Sequence, residues 1–316
     1  MPVNTVLTGP AGYRGMPLAE LEAQYSPSSR VQDLSWFLAE YAHRSEAARS
    51  GSQVRVGLRY GTGARETLDY FPAGAPDAPL HVYVHGGYWQ ELSKDESAFA
   101  APGFAAQGIN FVALGYGLAP ECSLDEIVAQ VRGGLAWLLS RSGELGFDPR
   151  RVFLSGSSAG AHLVAMALLP GWVPGGGHPA DLFAGAVLLS GIYDLEPLLP
   201  TYVNAKIGMD AVVARRNSPI FALPDRLPPV IVARGGVETE EFARQHEEFV
   251  LAIAERGGAA QDLVIERRNH FDLPFDLGDR ETRLGHAVSR LHTPSAPRSG
   301  EEGSETGAGP VSGRHP

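Results

Sequence analysis

Most of the chain alternates short apolar, β-branched or aromatic runs with segments of helical period, and this alternation restricts the fold more than any other feature. PLHVYVH, INFVALGY, RVFLSGS, AGAVLLSGI, PPVIVARGG and DLVIERR are the strand-like runs. Leu124 to Leu139 carries apolar residues at helical spacing, with Ser123 as N-cap and Asp125 and Glu126 in the first turn. AGAHLVAMALL and roughly Glu240 to Glu255 are further helices. Strand–helix repetition of this kind predicts a mainly parallel central sheet with helices on both faces. Its chemistry belongs at the carboxyl ends of the strands. Ahead of it, QVRVGLRY and ETLDYF alternate with period two around GTGA, which predicts a hairpin opening the sheet. Ala19 to Ser50 reads as one helical stretch, carried by Ser35-Trp36-Phe37-Leu38, Tyr41 and Ala42. Asp194 to Pro228 breaks the rhythm and is rich in proline, as an inserted lid or recognition segment would be. One domain over residues 1–292 is expected, followed at 293–316 by a polar, Gly/Pro-rich tail expected to be disordered.

Gly156-Ser157-Ser158-Ala159-Gly160 sits between the strand RVFLS and an apolar helix, the setting of a nucleophile elbow. Such a turn projects its central serine into a cleft, and small neighbours let strand and helix pass close by. The helix N-terminus then favours negative charge developing at the serine. Ser155 and Ser157 are the competing hydroxyls, but Ser158 holds the central position. A glycine-rich turn that merely starts a helix is the plainer alternative. Upstream, His85-Gly86-Gly87-Tyr88-Trp89 directly follows PLHVYV. Its paired glycines leave backbone N–H groups unobstructed, so Gly86, Gly87 and Ala159 are the candidate oxyanion donors. His85 itself reads as structural.

A hydroxyl nucleophile needs a base. Among ten histidines, His162 lies behind the elbow, His178 in a Gly/Pro loop and His246 on a polar helix face, while His292 and His315 fall at or in the tail. His270 follows the last predicted strand, where the order Ser, acid, His places the base. The acid belongs after PPVIVARGG, where Glu238 is the first carboxylate. Glu240 and Glu241 read as charges complementing a helix dipole. Asp194, after AGAVLLSGI, is a rival acid that would otherwise cap the next turn.

The formal net charge is −10 and the basic residues form no stripe, which argues against a nucleic-acid partner. Cys122 is the only cysteine, so no internal disulfide forms. MPVNTVLTGPAGYRG has no basic-then-apolar signal pattern, and no run approaches the ~18 apolar residues of a membrane span. A cytoplasmic enzyme acting on a small molecule is expected, away from membranes, with a homodimer compatible. The chain lacks CxxC, HExxH, GxxxxGK[ST] and GxGxxG in strand–helix context, and the chemistry requires no metal or cofactor.

HGGYW, GSSAGAHL, SGIYDLEPL with TYVN, and GGVETEEFARQ with RNHFD resemble the α/β-hydrolase type of kynurenine formamidase (arylformamidase). YSPSSRV and SKDESAFAAP extend the likeness from about Tyr25 to His292. HGGYW with YDLEPL is the more specific part, since GxSxG with HGG is shared by many esterases. The resemblance implies an α/β-hydrolase fold and hydrolysis of N-formyl-L-kynurenine to L-kynurenine and formate. It implies Ser158 as nucleophile, His270 as base, and Glu238 as acid where many members carry aspartate. It also implies Gly86, Gly87 and Ala159 as the oxyanion hole. Tyr88, Trp89 and Phe271 either stack on an aromatic substrate or pack in the core or lid. A carboxylesterase or other amidase, and a non-catalytic binding protein on the same scaffold, are the competing readings.

Overall fold

A computed structural model of the chain describes residues 13–293. The predicted tail, with His315 in it, lies outside the described residues apart from Thr293, as does most of the N-terminal stretch tested for a signal. In chain order, α1 (Leu18–Gln24), a 3-10 turn (Pro27–Arg30) and α2 (Leu34–Gly51) precede the sheet. The single helix expected from Ala19 to Ser50 is thus two. Pro27 opens the turn between them, and Asp33 restarts the helix by accepting from Ser35 N and Trp36 N.

The strands are β1 (Arg55–Arg59), β2 (Thr67–Phe71), β3 (Ala78–Val84), β4 (Asn110–Leu114), β5 (Phe147–Ser157), β6 (Gly185–Leu189), β7 (Val230–Val237) and β8 (Ala260–Asn269). They form one eight-stranded sheet in the order β1-β2-β4-β3-β5-β6-β7-β8. β1 pairs antiparallel with β2, and β2 with β4, so the predicted hairpin opens an otherwise parallel sheet. β3, β4 and β6 are buried along their whole length, the signature of strands covered on both faces. The exposed edge strand β1 carries Arg55 and Arg59, charges that discourage pairing with another chain.

The remaining helices are α3 (Ala101–Ala105), α4 (Leu124–Ser140), α5 (Ser142–Leu145), α6 (Ala159–Ala167), α7 (Pro179–Leu182), α8 (Asn204–Ile207), α9 (Ala211–Arg216), α10 (Glu240–Glu255) and α11 (Arg283–His292). α4 begins with a complete capping box between Ser123 and Glu126, as the sequence predicts. One core packs α4, α6 and α10 on the sheet through residues such as Val131, Leu163 and Phe249. A second core, on the other face, holds α3 and α11 through Phe104, Leu284 and Val288.

The segment 194–228 holds α8 and α9 and is anchored by buried Leu195, Leu198, Val203, Met209, Ala214 and Leu223. Among the described residues, no helix is long and apolar enough to cross a membrane.

The chain runs from β3 outward to β4, then returns to place β5 on the other side of β3. Sheets of this class bind ligands at such a reversal. Val84 and Gly156 are in register at the ends of β3 and β5, so the HGG and GSSAG turns leave the sheet side by side.

Candidate active site

Ser158 has φ +57° and ψ −121°, a backbone conformation that a serine adopts only where its surroundings impose it. Two glycines make the turn possible. A Cβ on Gly156 would lie 2.3 Å from Gly160 O, and one on Gly160 would lie 2.1 Å from Val84 O. Ser158 N donates to Leu189 O at 2.8 Å and Ser158 O accepts from His162 N at 3.1 Å, which fixes the elbow to β6 and to α6. Ser155 lies deeper in the strand, buried and 2.6 Å from His81 Nε2. Ser157 borders the same cavity as Ser158 but lacks the elbow conformation.

The HGG turn is equally constrained. A Cβ on Gly86 would meet Ser157 O at 2.8 Å, and Gly87 has φ +96° with Glu91 O 2.3 Å from the place of its Cβ. Among the described residues, the Gly86 and Gly87 N–H groups donate to no turn or loop carbonyl. Ala159 is the first residue of α6, a position whose N–H has no acceptor within the helix. His85 braces the turn: its Nδ1 is 2.9 Å from Gly86 O and its ring stacks on Tyr116 at 4.0 Å. Tyr116 Oη donates to His85 O at 2.8 Å. Burial pushes the His85 imidazole down to about 4.

Across the cleft, Val237 and Asn269 pair in register at the ends of β7 and β8. Glu238 and His270 are the next residues, and His270 Nδ1 lies 3.0 Å from Glu238 Oε2. Glu238 Oε1 accepts from Ser190 Oγ and from Gly235 N, each at 2.6 Å. Burial alone would raise the Glu238 carboxyl. The hydrogen bond and charge of His270, the Ser190 hydroxyl and the Gly235 N–H outweigh it and hold the group below the ordinary glutamate value. Asp194 sits elsewhere, accepting from Tyr13 Oη at 3.2 Å and Glu196 N at 3.0 Å. It caps the turn after β6, and the carboxylate on His270 is that of Glu238. Glu240 and Glu241 open α10 as expected, but Glu241 is also buried against Tyr25 Oη and Arg244.

Ser158, Gly86, Gly87 and His270 border one cavity of about 230 Å³. The structure makes no direct hydrogen bond between Ser158 and His270; both residues border this shared space. Tyr88 and Phe271 line it, as one sequence alternative proposed. Trp89 does not: it is fully buried and donates from Nε1 to His162 Nδ1 at 3.2 Å. The turn places successive side chains on opposite sides of the loop, and Trp89 takes the core side. The insertion 194–228 contributes only Tyr202 and Val203 to the walls. Part of the wall comes from Leu34, Leu38 and Tyr41 of α2, a helix with no expected part in the site. Their spacing of four and three residues marks a covered helix face, and that was the available signal.

His178 caps α7 by accepting from Ala180 N at 3.1 Å. One expectation is overturned. His246, assigned to a polar face, is buried and 2.7 Å from Asp262 Oδ1. His292, expected at the edge of the tail, is the last residue of α11 and is buried, with Nε2 3.0 Å from His81 Nδ1.

A kynurenine formamidase of Danio rerio is 37% identical over 292 residues, covering 88% of this chain and 98% of that protein. A kynurenine formamidase of Salmo salar is 36% identical over 293 residues, with 88% and 98% covered. A solved structure from Silicibacter sp., described as a thioesterase, matches with a TM-score of 0.77 at 30% identity, over 85% of this chain and 99% of its own. The BD-FAE family model matches residues 69–171, the stretch that holds both glycine-rich turns. With its eight-stranded, mostly parallel sheet and helices on both faces, the chain belongs to the α/β-hydrolase-type kynurenine formamidase family.

Proposed function

We propose that the protein is a serine hydrolase that deformylates an aryl formamide, N-formyl-L-kynurenine, to L-kynurenine and formate. The observation that carries the chemistry is the single cavity bordered by Ser158, His270, Gly86 and Gly87, with Glu238 on the far nitrogen of His270. The choice of substrate rests on the two formamidases that match along almost their whole length. The rings of Tyr88, Phe99 and Phe271 around the cavity suit an aromatic substrate.

The carboxylate of Glu238 accepts only, so it fixes His270 with the proton on Nδ1 and the lone pair on Nε2. Nε2 takes the Ser158 proton as Oγ attacks the formyl carbon, a contact that closes when substrate is bound. The N–H groups of Gly86, Gly87 and Ala159 receive the resulting oxyanion. As the tetrahedral intermediate collapses, the C–N bond breaks and Nε2–H passes its proton to the departing aryl amine. A formyl ester on Ser158 remains. Water then attacks it, giving its proton to Nε2, and formic acid leaves as Ser158 regains a proton. The balance is one formamide and one water to one amine and one formic acid, ionised in solution.

The test is turnover of N-formyl-L-kynurenine beside p-nitrophenyl acetate by the purified protein. A clearly higher kcat/KM on the formamide is the expected result. Cleavage of the ester alone would move the function to a carboxylesterase using the same site.

A further inference from the structure

His162 joins the two glycine-rich turns. Its backbone N donates to Ser158 O at 3.1 Å, one helical turn after the elbow. Its side chain meets Trp89 Nε1 through Nδ1 at 3.2 Å and Asn217 O through Nε2 at 2.6 Å. An indole N–H only donates and a carbonyl only accepts, so the tautomer is determined: the proton is on Nε2 and the lone pair on Nδ1. Both nitrogens are therefore used, and the ring is fully buried, edge-on to Trp89 at 5.0 Å and 87°.

Trp89 ends a run of three residues with positive φ, Gly87 at +96°, Tyr88 at +50° and Trp89 at +59°. Two of these are not glycine, so the run holds its shape only where surrounding contacts over-determine it. Three contacts do so. Gln90 N and Glu91 N both donate to Gly87 O at 2.9 Å, and Ala119 N donates to Trp89 O at 2.8 Å. The side-chain bond to His162 is the one that refers this loop to the helix carrying Ser158. Beyond His162, Asn217 Nδ2 donates to Asp125 Oδ1 at 2.8 Å and to Val213 O at 3.0 Å, which anchors the far end of the chain of bonds to α4 and α9.

We infer that His162 is a positioning residue which holds the Gly86 and Gly87 N–H groups in register with Ser158, and that Trp89 is the side chain through which it acts. The inference rests on the reading of those N–H groups as the oxyanion hole. Oxyanion donors act on charge that appears only in the transition state, so a displaced loop lowers kcat and leaves KM nearly unchanged.

Three variants separate this role from simple packing: His162→Asn, His162→Gln and Trp89→Phe. Asparagine carries its oxygen near the place of Nδ1 and keeps the acceptor for Trp89. Glutamine reaches the place of Nε2, keeps the donor to Asn217 O and leaves Trp89 unpaired. Kinetics are read on N-formyl-L-kynurenine and p-nitrophenyl acetate, per active site titrated with a fluorophosphonate. His162→Gln and Trp89→Phe should each lose about 10–100-fold in kcat with KM within about twofold. His162→Asn should recover most of that loss. The double variant Trp89→Phe/His162→Gln should be no slower than the worse single one, because both break the same bond. Unchanged kcat per titrated site in His162→Gln and Trp89→Phe would overturn the inference, as would a loss that appears in KM. If the wild type cleaves only the ester, the formamidase reading falls, and the same kcat comparison on the ester still decides the role of His162.

Discussion

His270 Nδ1 lies 3.0 Å from Glu238 Oε2 because Val237 and Asn269, the residues just before them, are in register at the ends of neighbouring strands. The sheet itself delivers a carboxylate and an imidazole to the same place. Glu238 is then held from the other side by Ser190 Oγ and Gly235 N. Glu238→Gln should lower kcat by about 10³–10⁴-fold, because an amide N–H facing Nδ1 favours the wrong tautomer. Glu238→Asp keeps the charge and should lose less. Asp194→Asn should leave kcat within about twofold of wild type, since that carboxylate caps a turn. Steady-state kinetics of the three variants check this, and a larger loss in Asp194→Asn than in Glu238→Gln would refute the assignment.

Gly86 has no room for a side chain. An added Cβ would sit 2.8 Å from Ser157 O and 3.2 Å from Ser158 Cβ, so the backbone must move at a point where the turn borders the cavity. Gly86→Ala should lower kcat by about 10²-fold or more while the circular dichroism spectrum stays that of the wild type. Wild-type kcat in that variant would exclude Gly86 as a donor.

Stability should fall in mild acid. Burial holds His85, His162 and His292 at about 4 and His81 well below the ordinary 6.5. Between those values the unfolded chain binds protons that the folded chain does not. The stability is therefore complete above about 6.5 and is lost as pH falls toward 4, at about 1.4 kcal/mol per pH unit for each histidine. Glu238, whose folded value is depressed, adds to the loss in the same direction below 4.5. The urea midpoint should be lower at pH 5 than at pH 7.5, and an equal or higher midpoint at pH 5 would contradict the burial of these rings.

One part of this effect can be isolated. His292 Nδ1 faces Val288 O at 2.8 Å, so it carries the proton and Nε2 accepts from His81 Nδ1. His81 Nε2 in turn accepts from Ser155 Oγ at 2.6 Å. His292→Ala leaves the His81 donor buried and unpaired and opens a cavity, which should cost about 2–4 kcal/mol of stability. The network lies away from the cavity, so kcat of the folded variant should be unchanged. A loss of kcat without a loss of stability would give His292 a role in turnover.

The parts of the site that were legible in the sequence are those where backbone crowding dictates the residue. Gly156, Gly160, Gly86 and Gly87 are spaced as they are because backbone carbonyls occupy the place of their side chains. Glu238 and His270 were legible because each follows a strand-like run, PPVIVARGG and DLVIERR. What stayed hidden depends on which element lies opposite. The stripe Leu34, Leu38, Tyr41 says that a helix face is covered and cannot say that a cavity covers it. Trp89 and Tyr88 are alike in sequence, and only the path of the loop sends one to the core and the other to the cavity. His246 and His292 are polar in sequence, yet each ring is buried against a partner from another element, Asp262 and His81. α11 was missed although Leu284, Ala287, Val288 and Leu291 recur at helical spacing; that signal was available.

The central claim is that Ser158 is the nucleophile, and the most direct measurement is kcat/KM of Ser158→Ala on N-formyl-L-kynurenine. The protein should fold as before and lose about 10⁴-fold or more, since the oxyanion donors and the binding surface alone give little turnover. A Ser158→Ala variant that deformylates at the wild-type rate would contradict the account.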